Sequence, residues 1–360
     1  MNKYLITTAL SGLLLAAFPA SAQQTKMLTA DKHNEYGLVY SLPLTSFRIE
    51  VKATRTVEKP GPYYQYAKKY LGTDKVVTAP AETRRITEVR ITPFGTPDTT
   101  QYLMQLKPGA LTEICVADDG MLLAVNRRAS LPETEDWQGS PLTPSSLDAN
   151  DYLRYVDEDF LVSQSSAKKA QMLAASIMEV RDSKVALSRG TAETMPTDGR
   201  QLELMLASLE NQEKVMTEAF TGTVQTAVEV RKYIYTPGDA SERKVLLRLS
   251  DFAGFVDADD LRGEPVYVSF KLTAAPELPV DDKGVEKKLP KDAVVYRLPA
   301  SGTLTLEWRG SEIASQYVTT AQGGALFGLD PKLFTDKKAP SSALFDPCTG
   351  ALLELTEKEQ

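Results

Sequence analysis

The chain has 360 residues, of which 42% are hydrophobic and 25% charged, and its formal net charge at pH 7 is −7. A moderately acidic chain without clustered Lys and Arg is a poor partner for nucleic acid or anionic lipid. With His33 as the sole histidine and only two cysteines, zinc sites with several His or Cys ligands are excluded by count, and His-dependent nucleophilic catalysis is not expected.

The first 22 residues are predicted to be a cleavable secretory signal peptide. Lys3 precedes an apolar run over residues 5–18, and residues 20–22 give the small-x-small pattern of a cleavage site. The run is too short to span a membrane, and no second long apolar segment follows it. We therefore expect a mature chain, cleaved near Ala22, that is periplasmic or secreted and does not insert into a membrane.

Residues 23–150 are predicted to form an N-terminal antiparallel β module. Its predicted strands cover residues 37–43, 47–51, 83–92, 101–106, 111–116 and 121–125. The third and fourth strands are expected to turn around Gly95. The last two are expected to turn at Asp118-Asp119-Gly120, since an Asp-Gly pair between apolar segments is a strong hairpin signal.

Residues 61–72 are predicted to form a short Tyr-rich helix, with Pro62 in its first turn and Gly72 past its end. Tyr63, Tyr66 and Tyr70 would then share one face of the helix. Two interpretations stay open. The rings could form an aromatic platform that binds a sugar or a peptide, or they could cover the edge of a sheet.

Residues 126–150 are predicted to form a polar strap, because Pro, Ser, Thr and acidic residues replace the strand pattern there. Trp137 is isolated within it. An isolated aromatic ring in a surface segment is expected to dock that segment onto the body of the protein. Trp137 is also a candidate binding aromatic.

Residues 151–222 are predicted to form a helical hairpin between the two β-rich halves. The first helix is expected to begin at Ser165-Ser166 and end at Gly190, and the second to begin after Asp198 and end at Gly222. The second helix has an apolar stripe at helical spacing, made of Leu202, Met205, Leu206, Leu209, Met216 and Phe220. We expect this stripe to be buried.

Residues 223–360 are predicted to form a C-terminal β module. Two of its segments resemble segments of the first half in the same order. Val39-Tyr40-Ser41-Leu42-Pro43 parallels Val295-Tyr296-Arg297-Leu298-Pro299, and residues 120–123 parallel residues 350–353. The predicted fold class is therefore β-rich α+β, with two duplicated antiparallel modules, sandwich-like or partly open barrels, joined by the helical hairpin.

Several segments together resemble a known family. Besides the signal peptide, they are Gly61-Pro62-Tyr63-Tyr64, Pro196-Thr197-Asp198-Gly199, Phe220-Thr221-Gly222, Tyr296-Arg297-Leu298-Pro299 and Phe345-Asp346-Pro347-Cys348-Thr349-Gly350. Over nearly the whole mature chain, the sequence resembles the exported proteins of Bacteroidota-type bacteria grouped as domain of unknown function 4831. The resemblance implies the compartment and the architecture, and it assigns no catalytic residue.

The remaining chemistry is sparse. Cys115 and Cys348 could form one disulfide in an exported protein, although the sequence does not show that they are close. Asp257, Asp259 and Asp260 fit a solvated turn better than a calcium loop, because the twelve-residue pattern with its terminal Glu is missing. No Gly-rich phosphate loop precedes a helix. No catalytic residue, cofactor or metal site is predicted.

These observations favour an exported, non-catalytic binding or envelope-structural protein whose partner is an envelope protein or a glycan. One alternative is a carbohydrate-active hydrolase with an Asp/Glu pair, which 48 acidic residues leave open. It would show two acids facing a Tyr- or Trp-lined cleft, one with a raised pKa. Another alternative is an adaptor or inhibitor for an outer-membrane protein system, which would show an exposed apolar patch or an unpaired strand edge.

Overall fold

A computed structural model describes residues 37–105, 113–132, 135–142, 151–238, 242–287, 293–335 and 340–356. The predicted signal peptide and His33 lie outside these ranges. Within them the protein is rich in β structure, and its sheets are antiparallel and form a half-barrel. The β-rich, antiparallel part of the predicted fold is confirmed.

Twelve strands and five α-helices are described. The strands are β1 (Gly37–Lys59), β2 (Ala81–Gln105), β3 (Ile114–Val116), β4 (Leu122–Val125), β5 (Thr223–Tyr235), β6 (Glu242–Ser250), β7 (Gly254–Val256), β8 (Glu264–Ala274), β9 (Val294–Trp308), β10 (Ser311–Leu329), β11 (Ser342–Phe345) and β12 (Leu352–Thr356). The helices are α1 (Ala67–Leu71), α2 (Glu158–Val162), α3 (Ser166–Arg189), α4 (Gly199–Thr221) and α5 (Lys332–Thr335). Short 3₁₀ turns cover Tyr64–Tyr66 and Asp151–Tyr155.

Three sheets are formed, and strands from both halves of the chain share two of them. Their strand orders are β2-β1-β5, β10-β9-β8-β6-β7 and β12-β11-β4-β3. Consequently the first sheet takes β5 from beyond the helices, and β11 of the C-terminal half pairs with β4 of the N-terminal half. The two halves proposed from the sequence are therefore interleaved.

The long strands differ from the sequence prediction. β1 and β2 are continuous strands of 23 and 25 residues, whereas two short strands were predicted in each. Gly95 does not lie in a turn, because residues on both sides of it pair with β1. A Cβ at Gly95 would lie 1.9 Å from the carbonyl oxygen of Pro347. The glycine instead allows the turn before β12 to contact β2.

Two apolar cores are stacked along these long strands. In the first core, Phe47, Ile49 and Val51 of β1 pack against the five-stranded sheet, including Val268 and Leu306. In the second core, Tyr40 and Leu42 of β1 pack with residues of β9 and the four-stranded sheet, such as Val294, Tyr296 and Phe345. β1 and β9 therefore each pass from one core into the other.

A buried polar layer lies where these strands cross. The Thr45 N–H donates to Gln322 Oε1 at 3.3 Å, and Gln322 Nε2 donates to the Thr45 carbonyl at 2.9 Å. The Thr45 hydroxyl accepts from the Ala321 N–H at 2.8 Å and donates to the Cys348 carbonyl at 2.9 Å. Because β5 pairs with β1 only from Phe47 onward, the Gln322 carboxamide takes the place of a neighbouring strand at Thr45.

We expect Gln322→Leu to lower the free energy of unfolding by about 2–6 kcal/mol. The variant leaves the buried main-chain N–H and C=O of Thr45 without these partners, and each unsatisfied group costs about 1–3 kcal/mol. Urea denaturation of the protein measures the change. Gln316→Leu is the matched control, since Gln316 is half-buried on the same strand. An unchanged midpoint for Gln322→Leu would contradict the role assigned to the polar layer.

Candidate functional site

α3 and α4 are two long helices whose ends are set by local sequence. The Ser165 hydroxyl accepts from the Lys168 N–H at 3.3 Å, and the Asp198 carboxylate accepts from the Gln201 N–H at 2.7 Å. Gly190 ends α3 at φ 71°, a left-handed conformation that suits glycine. The helix limits predicted from the sequence are confirmed.

One half of each helix is anchored to the body of the protein. Leu173 and Ile177 of α3 and Met216 and Phe220 of α4 lie in a common core. This core also contains the rings of the chain segments before them, namely Tyr63, Tyr152 and Phe160. Further along, Arg181 and Lys184 of α3 bind Glu213 of α4 at 2.6 and 3.1 Å. These ion pairs hold the helices together past the end of the core.

The halves of α3 and α4 that lie away from this core form the sides of an open depression, which we name the arm groove. Its volume is about 510 Å³, which lies in the range of ligand-binding clefts. Its lining combines aliphatic side chains with polar ones. The lining residues are Ser183, Ala186, Leu187, Ala192, Glu193, Thr194, Met205, Ser208 and Leu209.

The apolar stripe of α4 explains why this groove is apolar. Of the stripe predicted to be buried, only Met216 and Phe220 are buried. Leu209 is half-buried, and Met205 is 36% exposed. The expectation of a fully buried stripe was wrong, because the body of the protein covers only the anchored half of the helix. The length of the apolar stripe is the sequence feature that could have indicated its partial exposure, since the stripe extends beyond what one small core can cover.

The structure places the three candidate tyrosines around the helical core. Tyr63 is 6% exposed, and its ring packs edge-on against Tyr152 and Phe160. Its hydroxyl lies 3.4 Å from the Tyr152 hydroxyl, and burial raises the pKa of Tyr63. Tyr66 and Tyr70 are half-buried and pack against the same core. Tyr63 therefore offers no open ring face, and its main contacts are internal.

Trp137 fixes the strap to the outer face of the first sheet. The Lys52 ammonium lies 4.0 Å and the Arg90 guanidinium 4.6 Å from the centre of the indole ring. The main-chain N–H of Trp137 donates to Glu50 Oε1 at 3.1 Å. Glu50 is only 1% exposed, because the strap covers it. The predicted docking of the strap by Trp137 is confirmed.

A small cavity brings two acids together beside Tyr152. Asp151 and Glu218 line it, and it has space of about 30 Å³, enough for one or two water molecules. Burial raises the pKa of Glu218, and no described residue offers a hydrogen bond to its buried Oε2. A pair of acids in which one has a raised pKa is found in glycosidases. Pockets that bind small-molecule ligands, however, occupy about 300–1,000 Å³. Because the chain has so many acidic residues, no pattern in the sequence singles out Asp151 and Glu218 as a pair.

The two cysteines are free thiols and are not joined. Cys115 Sγ lies 3.3 Å from the Ala129 carbonyl oxygen, and Cys348 Sγ lies 3.6 Å from the Pro93 carbonyl oxygen. Burial, aided by the nearby Asp346 carboxylate, raises the pKa of the Cys348 thiol to about 11. The possible disulfide is therefore absent from this structure.

The acidic turn near Asp260 is neutralised by its own neighbour. The Asp260 carboxylate binds the Arg262 guanidinium at 2.5 Å, and this hydrogen bond lowers the pKa of Asp260 to about 2. Across the described ranges, no group of three or more His, Cys, Asp and Glu side chains is arranged to hold a metal ion. No helix in those ranges has the length and apolar character needed to cross a bilayer.

Comparison with known proteins places the chain in a family. The family model described as Domain of unknown function (DUF4831) matches residues 36–353. The chain belongs to the DUF4831 family. Searches of curated proteins and of solved structures returned no match for it.

Four of the segments that carry the DUF4831 resemblance meet at two buried junctions. At the first, the Tyr63 N–H donates to the Ala219 carbonyl at 2.9 Å, and Gly222 lies against the Lys59 carbonyl. At the second, the Arg297 N–H donates to the Gly350 carbonyl at 2.9 Å. These DUF4831 segments therefore join structural elements, and those of the first junction also line the small cavity beside Glu218 through Gly61, Pro62 and Gly222.

We expect Glu218→Gln to stabilise the protein at pH 7 and to have no effect below about pH 4.5. Because burial raises the folded-state pKa of Glu218 above its ordinary value of 4.5, the folded state binds this proton more tightly than the unfolded state. Wild-type stability is therefore lost as the pH rises through the raised pKa, and Gln removes that loss. Thermal unfolding from pH 4 to 8 measures the difference, with the exposed Glu203→Gln as control. Equal effects of both variants at every pH would contradict the assignment.

The DUF4831 chain should contain two titratable thiols after denaturation without reductant. In the native protein, Cys348 should react with iodoacetamide far more slowly than a free thiol at pH 8, since a pKa of about 11 leaves about one thousandth of it as thiolate. Mass spectrometry of the labelled chain measures both, and Cys348→Ser identifies the slow site. A chain lighter by two hydrogens that takes no label would show a disulfide instead.

Proposed function

We propose that this exported chain is a non-catalytic binding protein of the cell envelope, and that the arm groove holds an apolar segment of a partner protein. One observation carries the proposal. The distal half of the α4 stripe, with Met205 and Leu209, faces an open groove where the body of the protein does not reach. Exposed apolar surface with a polar rim is typical of protein-binding sites.

The chemistry of the groove favours a protein over a glycan. Its lining contains no aromatic residue and no cation, so it has neither the ring faces that stack on sugars nor a charged group for an acidic glycan. Leu187, Met205 and Leu209 present aliphatic surface, and a methionine side chain adapts its shape to different partners. A groove between two helices fits the apolar face of an amphipathic helix.

The hydrolase alternative rests on Asp151 and Glu218. The raised pKa of Glu218 supports it, and the water-sized space beside the pair opposes it. A sugar ring would have to displace the chain around Gly61, where a Cβ would already lie 2.3 Å from the Ala219 carbonyl oxygen. We therefore rank the hydrolase function second, after the binding function.

The finer architecture is part of the proposal. α3 and α4 are taken as one helical hairpin, and the two β-rich halves as products of a duplication. Equivalent residues make equivalent bonds, which supports duplication: the Ser41 N–H donates to the Gly120 carbonyl at 3.0 Å, and the Arg297 N–H donates to the Gly350 carbonyl at 2.9 Å. Tyr40 and Tyr296, also equivalent, lie in one core.

Site-specific crosslinking in the cells that make the protein tests the proposed groove. A photoreactive residue at Ser208, inside the groove, should give one protein adduct, and the same residue at the exposed Thr319 of β10 should not. Met205→Glu should reduce the adduct about tenfold or more, because a charge buried without a partner weakens binding by more than the 1.4 kcal/mol that a factor of ten requires.

The matched control is Leu204→Glu, which places the same charge on α4 at an exposed position outside the groove lining. It should leave the adduct unchanged. An adduct that survives Met205→Glu, or one that forms equally well at Thr319, would rule out the groove as the docking surface.

A further inference from the structure

The strap pairs with the free edge of β5 at one residue, in an isolated antiparallel bridge. Ser140 and Val228 exchange both main-chain hydrogen bonds, at 2.9 and 3.1 Å, in an antiparallel bridge. The other edge of β5 is occupied by β1. A Cβ at Gly139 would lie 2.8 Å from the Val228 carbonyl oxygen, so glycine permits this close approach. Such pairing is how sheet edges bind extended peptides.

Cations surround the strap on this face. Arg48 binds the Asp136 carboxylate at 3.4 Å, and Lys232 also forms an ion pair with it. Lys52 and Arg90 lie over the indole ring of Trp137. Four cations therefore lie around the strap on a chain with a net charge of −7, although Lys52 and Arg90 are also paired with Glu88 and Glu50 of the same sheet. Such cations attract acidic and aromatic groups.

The buried Glu50 sets the position of the tryptophan. Its Oε1 accepts from the main-chain N–H of Trp137 at 3.1 Å, and its Oε2 accepts from Arg90 Nε at 2.6 Å. Arg90 also donates to the Glu135 carbonyl at 2.7 Å. The surface therefore binds the main chain of the strap at two points and the indole ring between them. These contacts specify an extended segment in which an acidic residue, as at Asp136, directly precedes a tryptophan.

The part of the strap that lies on this sheet face adds nothing to the apolar cores. Residues 135–142 contribute no member to any apolar core found in the described parts of the chain, whereas Ala129, earlier in the strap, packs against the cluster that contains Met121 and Leu123. Glu50 and Arg90 are paired with each other across β1 and β2, so the central ion pair persists without Trp137. We propose that this face is a peptide-binding site held in cis by the strap, and that it takes an acidic, tryptophan-containing extended segment of another polypeptide.

In this arrangement the strap acts as an internal competitor. A partner segment binds only while the strap is released, so the apparent affinity falls in proportion to the released fraction. The site is separate from the arm groove, and neither needs the other. Its ion pairs are partly exposed, so salt weakens the hold of the strap.

Peptide binding to a strap-released variant tests the proposal. The probe is a labelled peptide with the sequence of residues 135–140, Glu-Asp-Trp-Gln-Gly-Ser, measured by fluorescence anisotropy against the full mature chain. Trp137→Ala should bind it saturably, and wild type should bind it at least about tenfold more weakly, because a strap released less than a tenth of the time imposes that factor. The matched peptide with Ala in place of Trp should not bind to either protein.

A second variant guards against incomplete release. Gly139→Val displaces the strap by collision with the Val228 carbonyl, and hydrogen exchange at the Val228 amide reports release in each variant. Adding Lys232→Glu to Trp137→Ala should weaken peptide binding about tenfold. Failure of the peptide to bind either released variant would overturn the proposal, as would binding that is indifferent to Lys232→Glu or to loss of the peptide tryptophan.

Discussion

The pairing of the Gln322 carboxamide with the main chain of Thr45 is the constraint on which the arrangement of the sheets depends. The β1–β2 pair and the β9–β10 pair belong to different sheets, yet each must cross from one apolar core into the other. At the crossing their main chains need hydrogen-bond partners that a neighbouring strand does not supply. A side-chain amide offers one donor and one acceptor in the geometry of a peptide group, so it can close a ladder at a single residue. The two cores are thereby held in a fixed relation, since neither long strand can slide without breaking that pair.

The candidate surfaces follow from how far this body extends. Its aromatic core anchors the beginning of α3 and the end of α4, and the ion pairs around Glu213 carry the contact one further turn. Further along α4, the distal part of the apolar stripe is half-buried or exposed. The second candidate surface, under the strap, lies at a strand edge that lacks a neighbouring strand. In the described parts of the chain the first sheet has three strands, so β5 lies at its edge, where the strap pairs with it at Val228.

Sequence reasoning succeeded where structure is decided by neighbours along the chain. Ser165 and Asp198 cap helices through bonds to residues three positions away, and that spacing is legible in the sequence. It failed where a distant segment decides the outcome. Gly95 has the composition of a turn but lies in a strand, because Pro347 occupies the space beside it. Glu50 fits the polar side of an alternating strand but is covered by a strap 87 positions further on. The apolar stripe of α4 was correctly recognised, while its exposure depended on the size of a core that no local pattern encodes.

The pairing of β4 with β11 has a consequence for how the chain acquires its structure. Residues 343 and 344 complete a sheet that begins near residue 114, and the carbonyl of Cys348 completes the bonding of Thr45. Contacts across such long stretches of sequence are formed late, because the entropy of closing large loops must be overcome before they yield any stabilisation. An emerging N-terminal half would therefore display unfinished strand edges until synthesis is almost complete. The antiparallel strands β6, β7 and β8, which are consecutive in sequence, form the segment best placed to fold first.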